Sequence, residues 1–393
     1  MTARLALILA LTATPAFAQS MTIDGDAGTK LSAEARETYD SPWAMTFLPD
    51  GRALVTEKGG TMWLSNADGT KAGQISGMPQ VTPRGQGGLG DVILHPDFAS
   101  NGVIYVSYVE RDASDGSLSG AAVQRGTLTL DGAGGSFSGE VIWRQSPKVT
   151  GNGHYGHRMA FGPDGHLYVT SGERQKFSPA QNMAMNLGKV VRLTEDGTPA
   201  PGNPFAGQGG ITDEIWTLGH RNPLGIDFDA DGQLWVHEMG PKGGDELNRI
   251  VRSENYGYPV VSNGDHYSGE PIPDHDTNLA FENPAAYWVP AISPAGFVIY
   301  DGAAFPDWQG DGLIGALSGQ ALVRVTFAKA PVDNTGAPPS KKGENMETVA
   351  TEAERYSWGS RVREVEQGPD GAVWVLEDGP GARLLRLTPA PQG

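Results

Sequence analysis

The chain repeats one short unit six times: an apolar residue, a turn of the Pro-Asp-Gly type and an alternating strand. The unit appears as "FLPDGRALVTE" from Phe47, "FGPDGHLYVT" from Phe161 and "QGPDGAVWVLED" from Gln367, with three looser copies between them. The turn aspartates are Asp50, Asp97, Asp164, Asp231, Asp311 and Asp370. Their five intervals cover 320 residues, from 50 to 370, or 64 on average, which leaves room for four short strands and their loops.

Repeats of strand, turn and strand at this spacing favour radial β-sheets. The 55 glycines and 28 prolines are typical of many short strands joined by tight turns. We therefore predict an all-β fold, a six-bladed β-propeller with four-stranded antiparallel blades. A β-sandwich or jelly roll is the alternative, but neither requires a recurring turn. The widest interval, from Asp231 to Asp311, predicts long loops on one face, where binding sites usually lie.

The first 18 residues have the pattern of a secretory signal peptide. Arg4 supplies the positive start, an apolar stretch follows, and "AFA" at 16–18 is a small-x-small cleavage site. The apolar run is too short for a membrane anchor. We therefore predict cleavage after Ala18, a periplasmic location without membrane insertion, and a single propeller domain over residues 19–393.

Composition narrows the chemistry. The chain has no cysteine, which excludes disulfides, thiol catalysis and thiolate metal sites. Its formal net charge of −17 argues against nucleic acid and anionic membranes as partners. In so acidic a protein, a local group of arginines indicates a place where an anion binds.

The segment "GNGHYGHRMAF" at 151–161 places two histidines before a strand. His154 and His157 could be ordinary residues at a strand edge, a metal pair, or a catalytic base and its neighbour. The three-residue spacing of a metal pair suits a helix, which the surrounding glycines make improbable. A neutral imidazole on a loop is a natural general base near neutral pH, so we predict that role for His154. Glu173, at the far end of the same hairpin, could orient it.

Two further segments carry arginines. "LGHRNP" brings Arg221 and Asn222 together at a strand end, a pair of donors suited to a carbonyl or carboxylate, although a solvated turn is the alternative. "SRVREVE" places Arg361 and Arg363 two residues apart in a strand pattern, and hence on one face. Two arginines on one face need an anion or nearby acids.

The segment "GPKGGDEL" combines Gly-Pro carbonyls with Lys242 and the acidic residues Asp245 and Glu246. Backbone carbonyls and carboxylates are oxygen ligands of the kind that calcium prefers. A solvated acidic turn is the alternative.

Taken in order, "RGQGGLGDVILHPDF", "GHYGHRMAFGPDG", "TLGHRNPLGIDFD", "MGPKGGDELN", "NYGYP", "YSGEPIPDH" and "SRVREVEQGPDG" resemble the soluble glucose/sorbosone dehydrogenase family. Within it, the chain is most similar to the periplasmic aldose sugar dehydrogenases that depend on pyrroloquinoline quinone (PQQ). The resemblance runs from about Ser41 to Leu387. The family's fold is a six-bladed β-propeller, in agreement with the repeat.

The resemblance implies a set of roles. His154 would be the general base, assisted by Glu173, with Arg158 as the arginine of its motif. The residues implied to contact PQQ are Gln86, Arg221, Asn222, Lys242, Arg361 and Arg363. Calcium would be held on the quinone by the carbonyls of Gly240 and Pro241, and a second calcium by Glu246 and Tyr256.

The implied reaction is oxidation of an aldose at its anomeric carbon to an aldonolactone. His154 would take the hydroxyl proton, PQQ would take the hydride with calcium as Lewis acid, and a separate electron acceptor would reoxidise the cofactor.

Three residues depart from the family pattern. His157 stands where relatives usually carry glycine, and could shift the pKa of the base or narrow the sugar site. Asn263 and Ser318 replace an aromatic residue and a lysine of some relatives.

Two other functions fit parts of the pattern. A calcium-dependent lactonase or esterase could use a six-bladed propeller, but it would have no use for Arg361 and Arg363. A non-catalytic module that binds a glycan or a protein would need none of His154, Arg221 and Asn222.

Overall fold

The computed structural model describes residues 20–278, 280–331 and 346–391. The predicted leader lies outside the described residues. Within them the chain is nearly all β, as predicted. The helices are one short α-helix, α1 (Phe98–Asn101), and 3-10 turns at Ser178–Gln181, Gly210–Glu214, His275–Thr277 and Pro306–Trp308. None of the helices in these ranges is long and apolar enough to cross a membrane.

The strands follow one another at short intervals. The first fourteen are β1 Ser20–Asp24, β2 Lys30–Tyr39, β3 Pro42–Phe47, β4 Ala53–Glu57, β5 Thr61–Ser65, β6 Lys71–Ser76, β7 Leu89–Leu94, β8 Val103–Arg111, β9 Ser119–Asp131, β10 Gly134–Arg144, β11 Gly156–Phe161, β12 Leu167–Ser171, β13 Lys189–Leu193 and β14 Ile215–Leu218. The others are β15 Pro223–Phe228, β16 Leu234–Glu238, β17 Asp245–Arg249, β18 Ala286–Trp288, β19 Pro294–Ile299, β20 Gly312–Ala316, β21 Ala321–Pro331, β22 Met346–Ser357, β23 Val362–Gln367, β24 Val373–Glu377 and β25 Ala382–Pro389.

Most strands pair with their neighbours in the chain as antiparallel sheets. Strands β11–β14, β15–β18 and β19–β22 each form a separate four-stranded sheet. Strands β3–β6 and β7–β10 also run in fours, and a short parallel contact between β6 and β10 joins them. The chain therefore builds successive groups of four strands, as the spacing of the turns predicted.

The predicted turns lie at the same place in each group. Each of the six aspartates falls between the first and second strands of its group. In three of them, Asp50, Asp164 and Asp370, the carboxylate accepts the backbone N–H two residues further on, at 3.1 Å. This local bond is the reason that aspartate favours such turns. The repeat read from the sequence is thus a repeat of hairpin turns.

The two ends of the described chain meet in one sheet. Strand β2 pairs antiparallel with β25, from Leu31 opposite Pro389 to Tyr39 opposite Ala382. The first strands of the groups, β3, β7, β11, β15, β19 and β23, contact one another in this order, and β23 contacts β3. A propeller-like ring results, and the non-local pairing of β2 with β25 closes it.

The six first strands line the axis of the ring. Each is six residues long, and each has an irregularity in its pairing with the second strand near its start. Because side chains alternate along a strand, equivalent positions lie at one level of the axis. The second positions are Trp43, Gly90, His157, Leu224, Ala295 and Arg363, and the third positions are Ala44, Asp91, Arg158, Gly225, Gly296 and Glu364.

A buried ion cluster closes the axis at the third position. Arg158 donates to Glu364 Oε1 at 3.0 Å, to Asp91 Oδ1 at 3.3 Å and to the Leu224 carbonyl at 3.0 Å. Its guanidinium also lies 4.1 Å from the ring centroid of Trp43. One side chain therefore connects the inner strands of five groups, and breaking such a buried pair typically costs about 3–5 kcal/mol.

Candidate active site

Two cavities adjoin one another, and one of them is lined by four second-position residues of the inner strands, Trp43, His157, Leu224 and Arg363. The first, called the cleft here, has a volume of about 260 Å³ and is lined by His154, Glu173, Gln175, Phe177, Arg221, Pro241, Tyr258, His266, Tyr267 and Ser268. The second, the basin, has a volume of about 420 Å³. It is lined by residues that include Trp43, Lys58, Gln86, His157, Asn222, Leu224, Arg361, Arg363 and Asp378. Tyr267 lines both cavities, so they adjoin.

His154 is held in the cleft by two polar contacts. Its backbone N–H donates to Gln86 Oε1 at 2.6 Å, and its Nδ1 lies 2.5 Å from Glu173 Oε1. Its φ of +52° lies in the left-handed region, which is costly for a residue with a side chain and is often found at functional sites. Burial lowers the pKa of His154 against the opposing effect of Glu173, and nearby Arg221 lowers it further. The imidazole is therefore neutral near neutral pH.

Glu173 stays ionised because its own loop surrounds it with donors. The backbone N–H groups of Gln175 and Phe177 donate to its carboxylate at 2.9 and 2.6 Å, and that of Lys176 does so as well. Together with His154, these bonds hold the pKa of Glu173 below its usual value despite burial. A carboxylate can only accept, so His154 carries its proton on Nδ1 and presents the lone pair of Nε2 to the cleft.

Arg174 stabilises the glycine-rich loop that carries His154. Its fully buried guanidinium donates to the carbonyls of Gly153 at 2.9 Å, Gly151 at 2.7 Å and Ser119 at 2.6 Å. It also stacks over the ring of Tyr155 at 3.8 Å. The loop needs glycine in part because Gly151 has a φ of +99°.

Arg221 enters the cleft from the loop between β14 and β15. Its backbone N–H donates to Glu238, and its Nη1 donates to the Met239 carbonyl at 2.9 Å. Its Nε and the Oδ1 of Asn222 are buried, and neither has a hydrogen-bond partner among the described residues. Buried polar atoms without partners are rare in folded proteins, and here they lie beside both cavities.

The basin is cationic within an acidic protein. Arg361 and Arg363 both bind Asp378, through Nε–Oδ distances of 2.8 and 2.9 Å. Lys58 lies in the same basin and donates to the Gly85 carbonyl at 2.9 Å. Burial lowers the pKa of Lys58, and nearby Arg363 lowers it further. Three cations face one carboxylate, so the basin has an excess of positive charge suited to an anion.

Sequence reasoning missed Lys58, Asp378 and Arg174. A signal for the first two exists in the repeat, because each directly follows the second strand of its group. Met239 and Leu317 occupy the same position in other groups, and both line the basin. In four of the six groups, the residue that follows the second strand lines the basin; Asp112 and Gly172 hold this position in the other two groups and line neither cavity. Arg174 follows Glu173 in "SGER" and has no comparable signal.

The predicted calcium carbonyls lie at the edge of the cleft. Pro241 lines it, and Gly240 precedes it with its N–H donated to Asp245 Oδ1 at 2.8 Å. Neither carbonyl oxygen accepts a hydrogen bond from another described residue. Burial raises the pKa of Asp245 to about 6. Two free carbonyls are oxygen donors of the kind that calcium binds, whereas both carboxylate oxygens of Asp245 already accept the backbone N–H groups of Gly240 and Ser293.

The second predicted calcium pair is already engaged. Glu246 Oε1 lies 3.0 Å from His275 Nε2, and Glu246 Oε2 accepts from Asn248 at 3.3 Å. The Tyr256 hydroxyl is buried between the Arg249 carbonyl and the Val251 N–H, at 2.6 and 2.9 Å. A cation bound through the Glu246 carboxylate would have to displace His275, so the second calcium site stays a prediction. No group of three or more His, Asp or Glu suited to a metal occurs in the described ranges.

Three other residues singled out in the sequence lie away from the cavity linings. The side chain of Lys242 is exposed and lines neither cavity, so its position does not support the predicted contact with a cofactor. Asn263 Oδ1 accepts the N–H of His275 at 3.2 Å. Ser318 Oγ lies 2.8 Å from the hydroxyl of Ser293, a residue of the basin lining.

His157 lines the basin rather than the cleft. It is not among the groups that shift the pKa of His154, whose causes are burial, Glu173, Arg221 and Arg174. The structure therefore offers no support for the expectation that His157 tunes the base or narrows the sugar site.

Comparisons with known proteins identify the family of the chain. Aldose sugar dehydrogenase YliI of Escherichia coli K12 is 34% identical over 358 residues, which are 90% of this chain and 91% of the relative. The apo-form of the soluble aldose sugar dehydrogenase from Escherichia coli matches with a TM-score of 0.81 at 34% identity, over 92% of this chain and 100% of that one. The PQQ-bound aldose sugar dehydrogenase of Streptomyces coelicolor matches with a TM-score of 0.68 at 28% identity, over 92% and 98%. The model of the glucose/sorbosone dehydrogenase family matches residues 39–386, and the chain belongs to that family.

Proposed function

We propose that the protein oxidises aldose sugars at the anomeric carbon to aldonolactones, with PQQ as hydride acceptor and calcium as Lewis acid. The observation that carries the proposal is the open Nε2 of His154, held by Glu173 at 2.5 Å, in a cleft that adjoins a cationic basin. The family and the PQQ-bound relative from Streptomyces support it. A six-bladed propeller over residues 19–393, exported to the periplasm by the leader, is part of the proposal.

The chemistry of the basin fits PQQ. A ligand with three carboxylates needs cations to replace its water shell, and Lys58, Arg361 and Arg363 are available for this. Gln86 and Asn222 add polar contacts on the wall nearest the cleft. Bound there, PQQ supplies an electrophilic carbonyl that accepts hydride. Asp378 pairs with both Arg361 and Arg363, which keeps the two guanidinium groups in place.

His154 acts on the sugar from the cleft. Its Nε2 accepts the proton of the anomeric hydroxyl while the anomeric hydride departs to the basin, so the C–O bond becomes a carbonyl. Glu173 stabilises the imidazolium that forms, since its carboxylate stays within 2.5 Å of Nδ1. The two electrons then leave to a separate acceptor.

Arg221 and the Gly240–Pro241 segment supply positive charge where negative charge develops. Arg221 is fixed by Glu238 and by the Met239 carbonyl, at the edge between cleft and basin. A calcium ion held by the carbonyls of Gly240 and Pro241 would polarise the acceptor carbonyl. Both features stabilise the transition state more than the ground state.

The outer wall of the cleft suits a sugar. Phe177 and Tyr267 are 47% and 75% exposed, unusual values for large aromatic side chains, and both line the cleft. Aromatic faces pack against the C–H face of a pyranose while its hydroxyls remain hydrogen-bonded.

The proposal is tested with purified protein, PQQ and calcium, by following bleaching of an artificial electron acceptor as single aldoses are added. We expect bleaching that depends on the aldose, on PQQ and on the protein together. Absence of bleaching with every aldose, combined with hydrolysis of lactones in the same samples, would replace the proposal with a calcium-dependent lactonase. Absence of both activities would favour a binding module.

A further inference from the structure

His157 occupies an inner-strand position at the floor of the basin. It is the second residue of β11, its ring is stacked on Trp43 with centroids 4.9 Å apart, and it is 1% exposed. The ring fits because residue 90 is glycine: a Cβ there would lie 2.1 Å from His157 Cε1. The histidine and the glycine therefore form a complementary pair from adjacent groups of strands.

A hydroxyl on the neighbouring group determines which ring nitrogen of His157 carries the proton. Ser107 Oγ accepts the N–H of Asp91 at 2.8 Å and lies 2.8 Å from His157 Nδ1. No other described residue accepts the hydroxyl hydrogen of Ser107, so donation to His157 Nδ1 satisfies that hydrogen, whereas acceptance from His157 would leave it without a partner.

Two other groups use the same relay and show its direction. Thr56 accepts the Ala44 N–H at 3.1 Å and donates to the Gly90 carbonyl at 2.7 Å. Thr170 accepts the Arg158 N–H at 3.0 Å and donates to the Pro223 carbonyl at 3.0 Å. In both, the hydroxyl at the next-to-last residue of a second strand donates to the adjacent group. Ser107 lies in the middle of β8, but like Thr56 and Thr170 it accepts the N–H of the third residue of a first strand, and it faces an imidazole in place of a carbonyl.

The consequence is a defined tautomer. If Ser107 donates to Nδ1, the proton of the ring is on Nε2, and burial keeps the ring neutral by lowering the pKa of His157 to about 3. Nε2 takes part in no hydrogen bond with another described residue. A neutral N–H group thus lies at the floor of a basin that also contains the cations Lys58, Arg361 and Arg363.

We infer that His157 binds the cofactor directly, by donating its Nε2–H to an oxygen or nitrogen acceptor of PQQ, and that Ser107 is the positioning residue that makes it a donor. The inference rests on the proposed function for the identity of the ligand. It assigns His157 to binding, in contrast to the proton transfer assigned to His154.

The tautomer is tested first, on the full chain without cofactor, by NMR of the histidine ring nitrogens, with the His157 signals assigned from a His157→Phe variant. We expect an unprotonated Nδ1 and a protonated Nε2, unchanged across neutral pH. A protonated Nδ1 would overturn the inference whether or not the protein binds PQQ. A second variant, His157→Gln, gives the assignment independently, so the tautomer is still read on the wild type if His157→Phe folds poorly.

Binding is tested by titrating PQQ into the calcium-loaded protein and following tryptophan fluorescence. His157→Phe keeps the ring on Trp43 but removes the donor, so we expect affinity to fall about tenfold. The matched control is His237→Phe. His237 is also buried and packs on a glycine, Gly225, but it does not line the basin. The affinity of His237→Phe for PQQ should match that of the wild type.

The outcomes separate the two proposals. Wild-type affinity in His157→Phe, with PQQ bound by the wild type, overturns this inference alone. A similar loss in His237→Phe also overturns it, because the effect would then be one of packing. If the wild type does not bind PQQ, the proposed function is wrong, and so is the assignment of PQQ as the ligand of His157.

Discussion

His154 and His157 are three residues apart, and the structure places them in two different chemical environments. Both are buried, both have a positive φ, and burial lowers the pKa of both. They differ in the partner of Nδ1. Glu173, which can only accept, faces His154, and the hydroxyl of Ser107 faces His157.

That difference reverses the chemistry of the other ring nitrogen. His154 presents a lone pair on Nε2, as a base needs, and His157 presents an N–H, as a binding donor needs. Two residues of one type on one short segment therefore perform different tasks, and the partner of the remote nitrogen decides which. The predictions below test this contrast.

Removal of His154 should have the largest effect. His154→Ala removes the base but no residue of the basin, so we expect turnover to fall by about 100- to 10,000-fold with PQQ affinity unchanged. Steady-state rates and PQQ titrations measure the two quantities. His157→Phe should show the reverse pattern, with weaker binding and near-normal turnover at saturating PQQ. Unchanged turnover in His154→Ala would falsify its role as base.

Glu173→Gln should convert His154 into the tautomer of His157. The N–H groups of Lys176 and Phe177, which donate to Oε2, would retain the amide oxygen there. The amide NH₂ would then replace Oε1, lose the bond from the Gln175 N–H, face His154 Nδ1 and move the ring proton to Nε2. We expect turnover to fall by about 100-fold or more, since a base in the wrong tautomer cannot accept a proton. NMR of the ring nitrogens checks the tautomer, and a variant that keeps both the tautomer and the rate contradicts the assignment.

The pH profile should distinguish the histidines without any mutation. Because burial lowers the pKa of His154, its basic form persists as the pH falls below neutrality, and turnover declines only below the ordinary histidine pKa of 6.5. The pKa of His157, about 3, is too low to contribute to this limb. We expect the same acid limb in wild type and His157→Phe. An acid limb centred above pH 7 would contradict the neutral, buried base.

The smallest effects should come from the hydroxyl relay. Ser107→Ala and Thr56→Val each remove one relay hydroxyl, so each should lower the free energy of unfolding by about 1 kcal/mol, measured by denaturant titration. Only Ser107→Ala removes the hydroxyl that keeps the ring proton of His157 on Nε2. Only this variant should therefore weaken PQQ binding, by roughly two- to fivefold. Equal PQQ affinities in the two variants would show that the relay does not reach the basin.

Much of the fold could be predicted because the information is local. An aspartate that accepts the N–H two residues on makes a turn wherever it occurs, so Asp50, Asp164 and Asp370 mark hairpins from the sequence alone. The candidate site was accessible in part for a different reason: the chemistry of their segments predicted His154, Arg221 and Asn222 as site residues, and the family resemblance added Gln86. Lys58 and Asp378 were missed because their role depends on which strand ends converge.

By itself, the sequence determined the repeat, the all-β character, the acidic charge and the segment that carries both histidines. The tertiary structure decided what the two histidines face. The contacts of Glu173 with His154 and of Ser107 with His157 join residues 19 and 50 positions apart. Hydrogen-bond direction, and with it the tautomer, depends on such non-local partners, so no local pattern in the sequence specifies it.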